Sequence, residues 1–333
     1  RKTNKHACGK PLQSGQMSWA VTTSREGVMT TDVTLKKVRL SVSNAVHSLT
    51  VLVAKEEGLF QEQGLDVELV KTAGAAQVGT TKQDVREAIF ERPLESLYNA
   101  GGMDQFRLCE WGIVKRVVDG WQADQRPAKI VGLGAAMSKF GIVVAPNSGI
   151  VEPEQLADTE IAVTIYNGSH FTTLKMLEGF LRKEEIKVTN AGTMPQRLEA
   201  VRKGELAAAT FNEPWLSVAQ KQGLCILTES HSTRIEAAGD EMDGATLAAT
   251  FRAQGKAAEL ITANPTKYTH YLSDETGGLL TPDELQPWRL LYVAPTPYTR
   301  ERFKRTYEWM LGFPDLVPEG ATYEAAVDNR AWE

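Results

Sequence analysis

Four short runs hold the residues best able to do chemistry, and each follows an apolar run and precedes a helical pattern. They are Ser43–Ser48, with Asn44 and His47; Cys109–Gly112, with Glu110 and Trp111; Tyr166–Phe171; and Asn212–Trp215, with Glu213. The third, Tyr166-Asn167-Gly168-Ser169-His170, suits an oxyanion best. Backbone N–H groups that open a helix hold negative charge, and Gly168 lets a ligand approach closely. Ser169 either caps that helix or donates to the ligand. His170 either supplies a charge or proton or stands solvated in the first turn. Asn44 and His47 have the same double reading, as turn or cap residues or as contacts to a carboxylate or sulfonate.

Cys109 is the one catalytic candidate, a nucleophile or proton donor beside Glu110 and Trp111. A neighbouring carboxylate opposes thiolate formation, which favours a small buried Cys109, a solvated Glu110 and a packing Trp111. Trp111 and Trp215 suit ligand walls, and Asn212 suits a hydrogen-bond partner. Glu110 and Glu213 would both repel a bare anion. With His47 and His170 the only basic residues nearby, they point away from a simple dianion and towards an aromatic or amine-bearing organic acid.

Ligands of open α/β sheets lie at the carboxyl ends of strands, so these corners need a parallel sheet behind them. Val38–Val42 alternates as a strand, Leu49, Leu52 and Val53 form a helix stripe stopped at Gly58, and Leu65–Val70 is a second strand. That is a βαβ unit. Two further segments, Leu94–Gly120 and Leu198–Gly223, repeat one order: helix, glycine stop, short strand, polar-aromatic corner, helix, glycine stop. Between them lie two short β-rich runs, Lys129–Leu133 and Gly141–Ala145, then the strand Glu160–Ile165. Leu224-Cys225-Ile226-Leu227 reads as a buried strand, which makes Cys225 core. Thr246–Thr250 reads as a short strand returning the chain to its first half. The fold class is therefore α/β, with two lobes of similar topology and a ligand cleft between them. Residues 1–36 are expected to be a disordered extension, 37–135 and 246–333 a discontinuous first lobe, and 136–245 the second. Crossover strands near 135–145 and 243–250 would be the hinge. The stretch 72–92 reads as an insertion or lid-like loop.

The 333 residues suffice for two cores, and a net charge of −5 without a basic cluster excludes nucleic acid as a partner. No apolar stretch is long enough for a transmembrane segment. Three dispersed cysteines form neither a disulfide framework nor a zinc site, so all three are read as thiols. No metal or cofactor motif occurs: there is no Walker loop, no GxSxG, no HExxH and no GxGxxG after a strand. Residues 1–28 are polar and lack a signal peptide's apolar region, and Met29 is a candidate start. Two locations follow: periplasmic or otherwise extracytoplasmic if an export signal has been lost, cytoplasmic as the chain stands.

The segments VRLSVSNAVHSLTVLVAKEEGLFQEQGLDVELV (38–70), IAVTIYNGSHFTTLKMLEGFL (161–181), GELAAATFNEPWLSVAQKQG (204–223), ANPTKYTHYL (263–272) and YEAAVDNRAW (323–332) resemble the nitrate/sulfonate/taurine-type solute-binding proteins of ABC transporters. That family includes thiamine-pyrimidine synthase and a few cofactor-free enzymes. The resemblance implies a type II periplasmic-binding fold and a monomer that closes on a small organic anion (a sulfonate, aromatic carboxylate or pyrimidine-like molecule) and delivers it to an ABC permease. The alternative it implies is a cytoplasmic cofactor-independent decarboxylase or desulfinase. Family desulfinases look to a cysteine in the first strand-to-helix loop, where this chain has Val46-His47.

Overall fold

The computed structural model describes residues 34–72, 93–120, 125–313 and 316–333. The expected extension up to residue 33 and the lid-like stretch 73–92 lie outside the described residues. The first unit folds as its pattern requires. Strand β1 (Lys36–Val42) buries Val38, Leu40 and Val42, while helix α1 (Ala45–Glu56) buries Leu49, Val51 and Val53. Each such side chain removed from water contributes about 1.5–3 kcal/mol. Gly58 and Gly64 adopt φ of 72° and 77°, turns open mainly to glycine. They flank the short helix α2 (Leu59–Glu62) and turn the chain into β2 (Leu65–Lys71), which pairs parallel with β1. Helix α1 begins earlier than its apolar stripe suggests. Asn44, not His47, is the cap, its side chain accepting from the His47 amide at 3.3 Å.

The repeated strand–corner–helix units are both present. Helix α3 (Pro93–Asn99), strand β3 (Gln105–Cys109) and helix α4 (Glu110–Gly120) form the first. Between the units, β5 (Glu160–Val163) leads to helix α5 (Gly168–Leu177), and β6 (Lys187–Asn190) follows. Helix α6 (Met194–Lys203), strand β7 (Ala208–Asn212) and helix α7 (Trp215–Lys221) form the second unit.

Two expectations for the linking strands are corrected. The runs at 129–133 and 141–145 belong to one strand, β4 (Lys129–Val144). Glycines hide its continuity, and each answers to a side chain brought from later in the chain. A Cβ on Gly132 would clash with the Trp332 ring, and one on Gly134 would lie 3.0 Å from Glu236 Oε1. Residues 246–250 form no strand. They open helix α8 (Gly244–Ala263), which starts where Asp243 accepts from the Thr246 amide at 2.8 Å and buries Leu247, Phe251 and Ile261. The strand that recrosses the molecule is β8 (Cys225–Ala238). Cys225 is exposed at its first position, because Leu224 takes the inward place.

The described strands make one nine-stranded sheet in the order β2-β1-β3-β8-β4-β7-β5-β6, with β9 (Leu290–Tyr292) added to β4. Long β4 and β8 pair antiparallel from Lys129↔Ala238 to Val144↔Cys225, with a register shift between Leu133 and Met137. Together they link a β1–β3 side to a β5–β7 side. Residues 135–136 lie within β4 and 245–246 within the first turn of α8. After α8 come helices α9 (His270–Glu275), α10 (Arg300–Leu311) and α11 (Tyr323–Ala326). No described helix is long and apolar enough to cross a membrane.

Candidate functional site

The corner after β5 is built to present backbone amides. Asn167 Oδ1 accepts from the Gly168 amide at 2.5 Å, so Asn167 caps α5 and Ser169 does not. Ser169 is buried, its Oγ accepting from the Thr164 amide at 3.0 Å. His170 Nδ1 accepts from the Tyr166 amide at 3.1 Å, which puts a neutral ring's proton on Nε2 and holds Tyr166 at φ 54°. The first-turn amides of α5 have no carbonyl four residues earlier to bond, so their positive ends point outward. Gly168 is needed at that point. A Cβ there would lie 2.8 Å from Phe140 Cζ and 3.4 Å from an Arg234 Nη2.

Arg234 is the residue that sequence reasoning missed. It lies inside β8, opposite Cys109 on β3, and is 4% exposed. Its Nε donates to Ser138 Oγ at 3.3 Å, while its Nη2 finds no hydrogen-bond partner among the described residues. Burial, opposed by Cys109 and reinforced by the Arg107 charge, lowers its pKa to about 10, so it stays protonated at neutral pH. Arg107, one strand away, is spent on Glu236: Nε donates to Oε1 at 2.8 Å, and both side chains are buried. Among the described residues Arg234 has no such carboxylate. A buried charge without a partner costs several kcal/mol, and an anion seated against Nη2 removes that cost.

Other polar groups converge on the same space. His47 stacks at 6.4 Å on Phe140, and its buried Nε2 also lacks a hydrogen-bond partner among the described residues. Burial, then the charges of Arg234 and Arg107, hold its pKa well below the usual histidine range, so it is a neutral ring. Ser41 Oγ and Ser232 Oγ, buried on β1 and β8, are likewise unsatisfied. A neutral imidazole, a guanidinium and a helix N-terminus, all neighbours of the Phe140 ring, can take one small oxyanion.

The predicted carboxylates do not edge this space. Glu110 is buried and accepts from Arg302 Nε at 2.8 Å and Nη2 at 2.6 Å, and from Tyr298 and Thr306 at 2.8 Å each. It is therefore neither solvated nor a repellent charge. Glu213 accepts from Ser217 Oγ at 2.7 Å and lies 3.4 Å from Arg289 Nη1, with burial raising its pKa. Trp111 packs between Phe171 and Trp309, each at 5.8 Å between ring centroids. Asn212 donates to the Glu213 carbonyl at 2.8 Å and pairs in register with Phe140. Asn44 serves as a cap. The structure thus brings His47, Cys109 and Gly168 to Arg234, and turns Glu110, Trp111 and Glu213 to packing and ion pairs. No cluster of metal-ligating residues occurs among the described residues.

No protein-family model and no curated protein matches the sequence. Solved structures do. The alkanesulfonate-binding protein SsuA from Xanthomonas axonopodis pv. citri, bound to MOPS, superposes with a TM-score of 0.66 at 15% identity, covering 88% of this chain and 98% of that one. The periplasmic nitrate-binding protein NrtA from Synechocystis PCC 6803 gives 0.65 at 13% identity over 90% and 87%. The desulfurization enzyme DSZB gives 0.55 at 14% identity over 89% and 97%. At these identities the likeness concerns the fold: this chain has the α/β fold of the ABC-type periplasmic solute-binding proteins.

Proposed function

We propose that the protein is the solute-binding component of an ABC-type importer for a small organic anion, held between the β1–β3 and β5–β7 sides as they close about β4 and β8. The observation that carries this is the protonated, buried Arg234 with an unsatisfied Nη2 facing the N-terminus of α5. Such a site is incomplete without an anion. Similarity to alkanesulfonate- and nitrate-binding proteins supports the class of solute, with the anionic head on Arg234 and α5. The reading entails an extracytoplasmic location, a monomer and a permease as membrane partner. Binding breaks no bond; hinge closure alone couples recognition to delivery.

A second reading, a cofactor-independent enzyme of decarboxylase or desulfinase type, has one observation behind it: the Cys109 thiol stands opposite Arg234 in register. One experiment separates the two. The protein is titrated calorimetrically with alkanesulfonates, aromatic carboxylates, aminopyrimidines and nitrate, and each bound compound is recovered and weighed by mass spectrometry. An anion that binds one to one and returns unchanged is the expected result. A compound returned lighter by carbon dioxide or by its sulfur group overturns the binding reading in favour of catalysis, and no heat with any anion removes both.

A further inference from the structure

The N-termini of α5 and α1 are both capped by an asparagine, yet the second is already occupied. The Ala45 amide, first in α1, donates to Glu275 Oε2 at 2.6 Å, from the far end of α9. The Trp215 indole, at the start of α7 on the β5–β7 side, also hydrogen-bonds this carboxyl. Tyr292 on β9 donates to the Val46 carbonyl at 2.8 Å, which fixes the same end of α1. His47, one of the groups around Arg234, lies two residues beyond Ala45.

We infer that Glu275 is a resident counter-anion of α1 that restricts the site to ligands with one anionic head, the role first assigned to Glu110 and Glu213. The inference rests on the anion-binding reading above. A second anionic group on the same ligand would have to settle near α1, where the helix end is already neutralised and a carboxylate would repel it.

Burial raises the Glu275 pKa to about 7 against the lowering effects of the Ala45 amide and Trp215, so discrimination should strengthen as pH rises through that value. Burial also shapes the other titratable groups that face this region. His47 is held neutral, burial keeps Tyr292 protonated, and Glu213 is engaged with Ser217 and Arg289. His270, exposed at the start of α9, bonds the Lys267 carbonyl instead.

The test compares ethanesulfonate with 1,2-ethanedisulfonate, whose charges do not change with pH, on the whole protein and on Glu275→Gln. For the parent protein the preference for the monoanion should grow about tenfold between about pH 6 and about pH 8, the scale of a charge at a helix end. In Glu275→Gln it should be small and flat. A preference that ignores pH in the parent, or persists unchanged in the variant, overturns the inference.

If neither sulfonate binds the parent, the functional reading fails, and ligand-free melting decides the role of Glu275. A folded-state pKa above the unfolded value gives stability that is full below the ordinary 4.5 and lost progressively as pH rises from there to about 7. The parent's midpoint should therefore fall over that range while that of Glu275→Gln holds. Equal slopes would remove the buried counter-anion altogether.

Discussion

The corners after β1 and β5 use one local device and end in opposite roles. In each, the amide of the residue following the strand donates to a serine five positions on, Ser43 to Ser48 Oγ at 3.3 Å and Thr164 to Ser169 Oγ at 3.0 Å. In each, an asparagine caps the helix that follows. What differs is the partner brought from elsewhere. The α1 terminus receives the Glu275 carboxylate, while the α5 terminus faces the Arg234 guanidinium across Gly168. A helix end is an anion site only where the rest of the fold leaves it open and adds positive charge.

The sharpest way to break this contrast is Arg234→Met. Loss of the buried cation should weaken anion binding by about 2–5 kcal/mol, roughly thirtyfold or more. It should also stabilise the ligand-free protein, because an unpaired buried guanidinium gives way to an apolar side chain of similar volume. Calorimetry and thermal melting together check it. If the variant melts lower without ligand and binds as before, Arg234 is a structural arginine.

Gly168→Ala attacks the α5 side more gently. The added methyl meets Phe140 Cζ at 2.8 Å and stands 3.4 Å from Nη2, so the Phe140 ring must move and the methyl stands between the helix end and the guanidinium. Overpacking of this size costs about 1–3 kcal/mol, here expected mainly as lost affinity. Gly112→Ala tests the corner after β3 in the same assay. Its Cβ would lie 3.1 Å from Cys109 Sγ. Equal losses of affinity in the two variants would mean that the anion is not specific to the α5 end.

How much of this was legible in the chain follows from the range of the interactions. Glycine stops, alternation and corner composition are local, and they place β1, β2, β3, β5 and β7 and the helices that follow. Strand β4 escaped because its glycines are demanded by Trp332 and Glu236, which lie far along the chain. The helical start at 244–250 reads as a strand when only Thr, Leu and Ala are weighed, and Asp243 as its cap is easily passed over. In the site, the corners were visible but their charge balance was not. Glu110 and Glu213 look like free carboxylates until Arg302 and Arg289 arrive from the last quarter of the chain. Arg234 sits in a polar strand, Ser230–Glu236, that carries no motif. The one available signal was the alternation of Ser232, Arg234 and Glu236 against Thr233, Ile235 and Ala237, which puts a cation on one face of a buried strand.

The smallest test is also the cleanest for the contrast, because it changes the same atom group in both corners. Asn44→Ala and Asn167→Ala each remove a cap, which costs about 1 kcal/mol of stability. The loss at Asn44 should fall at the lower end, since Glu275 continues to satisfy the Ala45 amide. Affinity should separate the pair. Asn167 orients the first turn of α5 at the anion, so its loss should weaken binding by roughly threefold to tenfold, as expected for one displaced helix end. Asn44 holds a terminus that is already filled, so its removal should leave affinity almost untouched. Equal weakening by both substitutions would place the anion between the two helix ends, and the opposition drawn here between a filled terminus and an open one would fall.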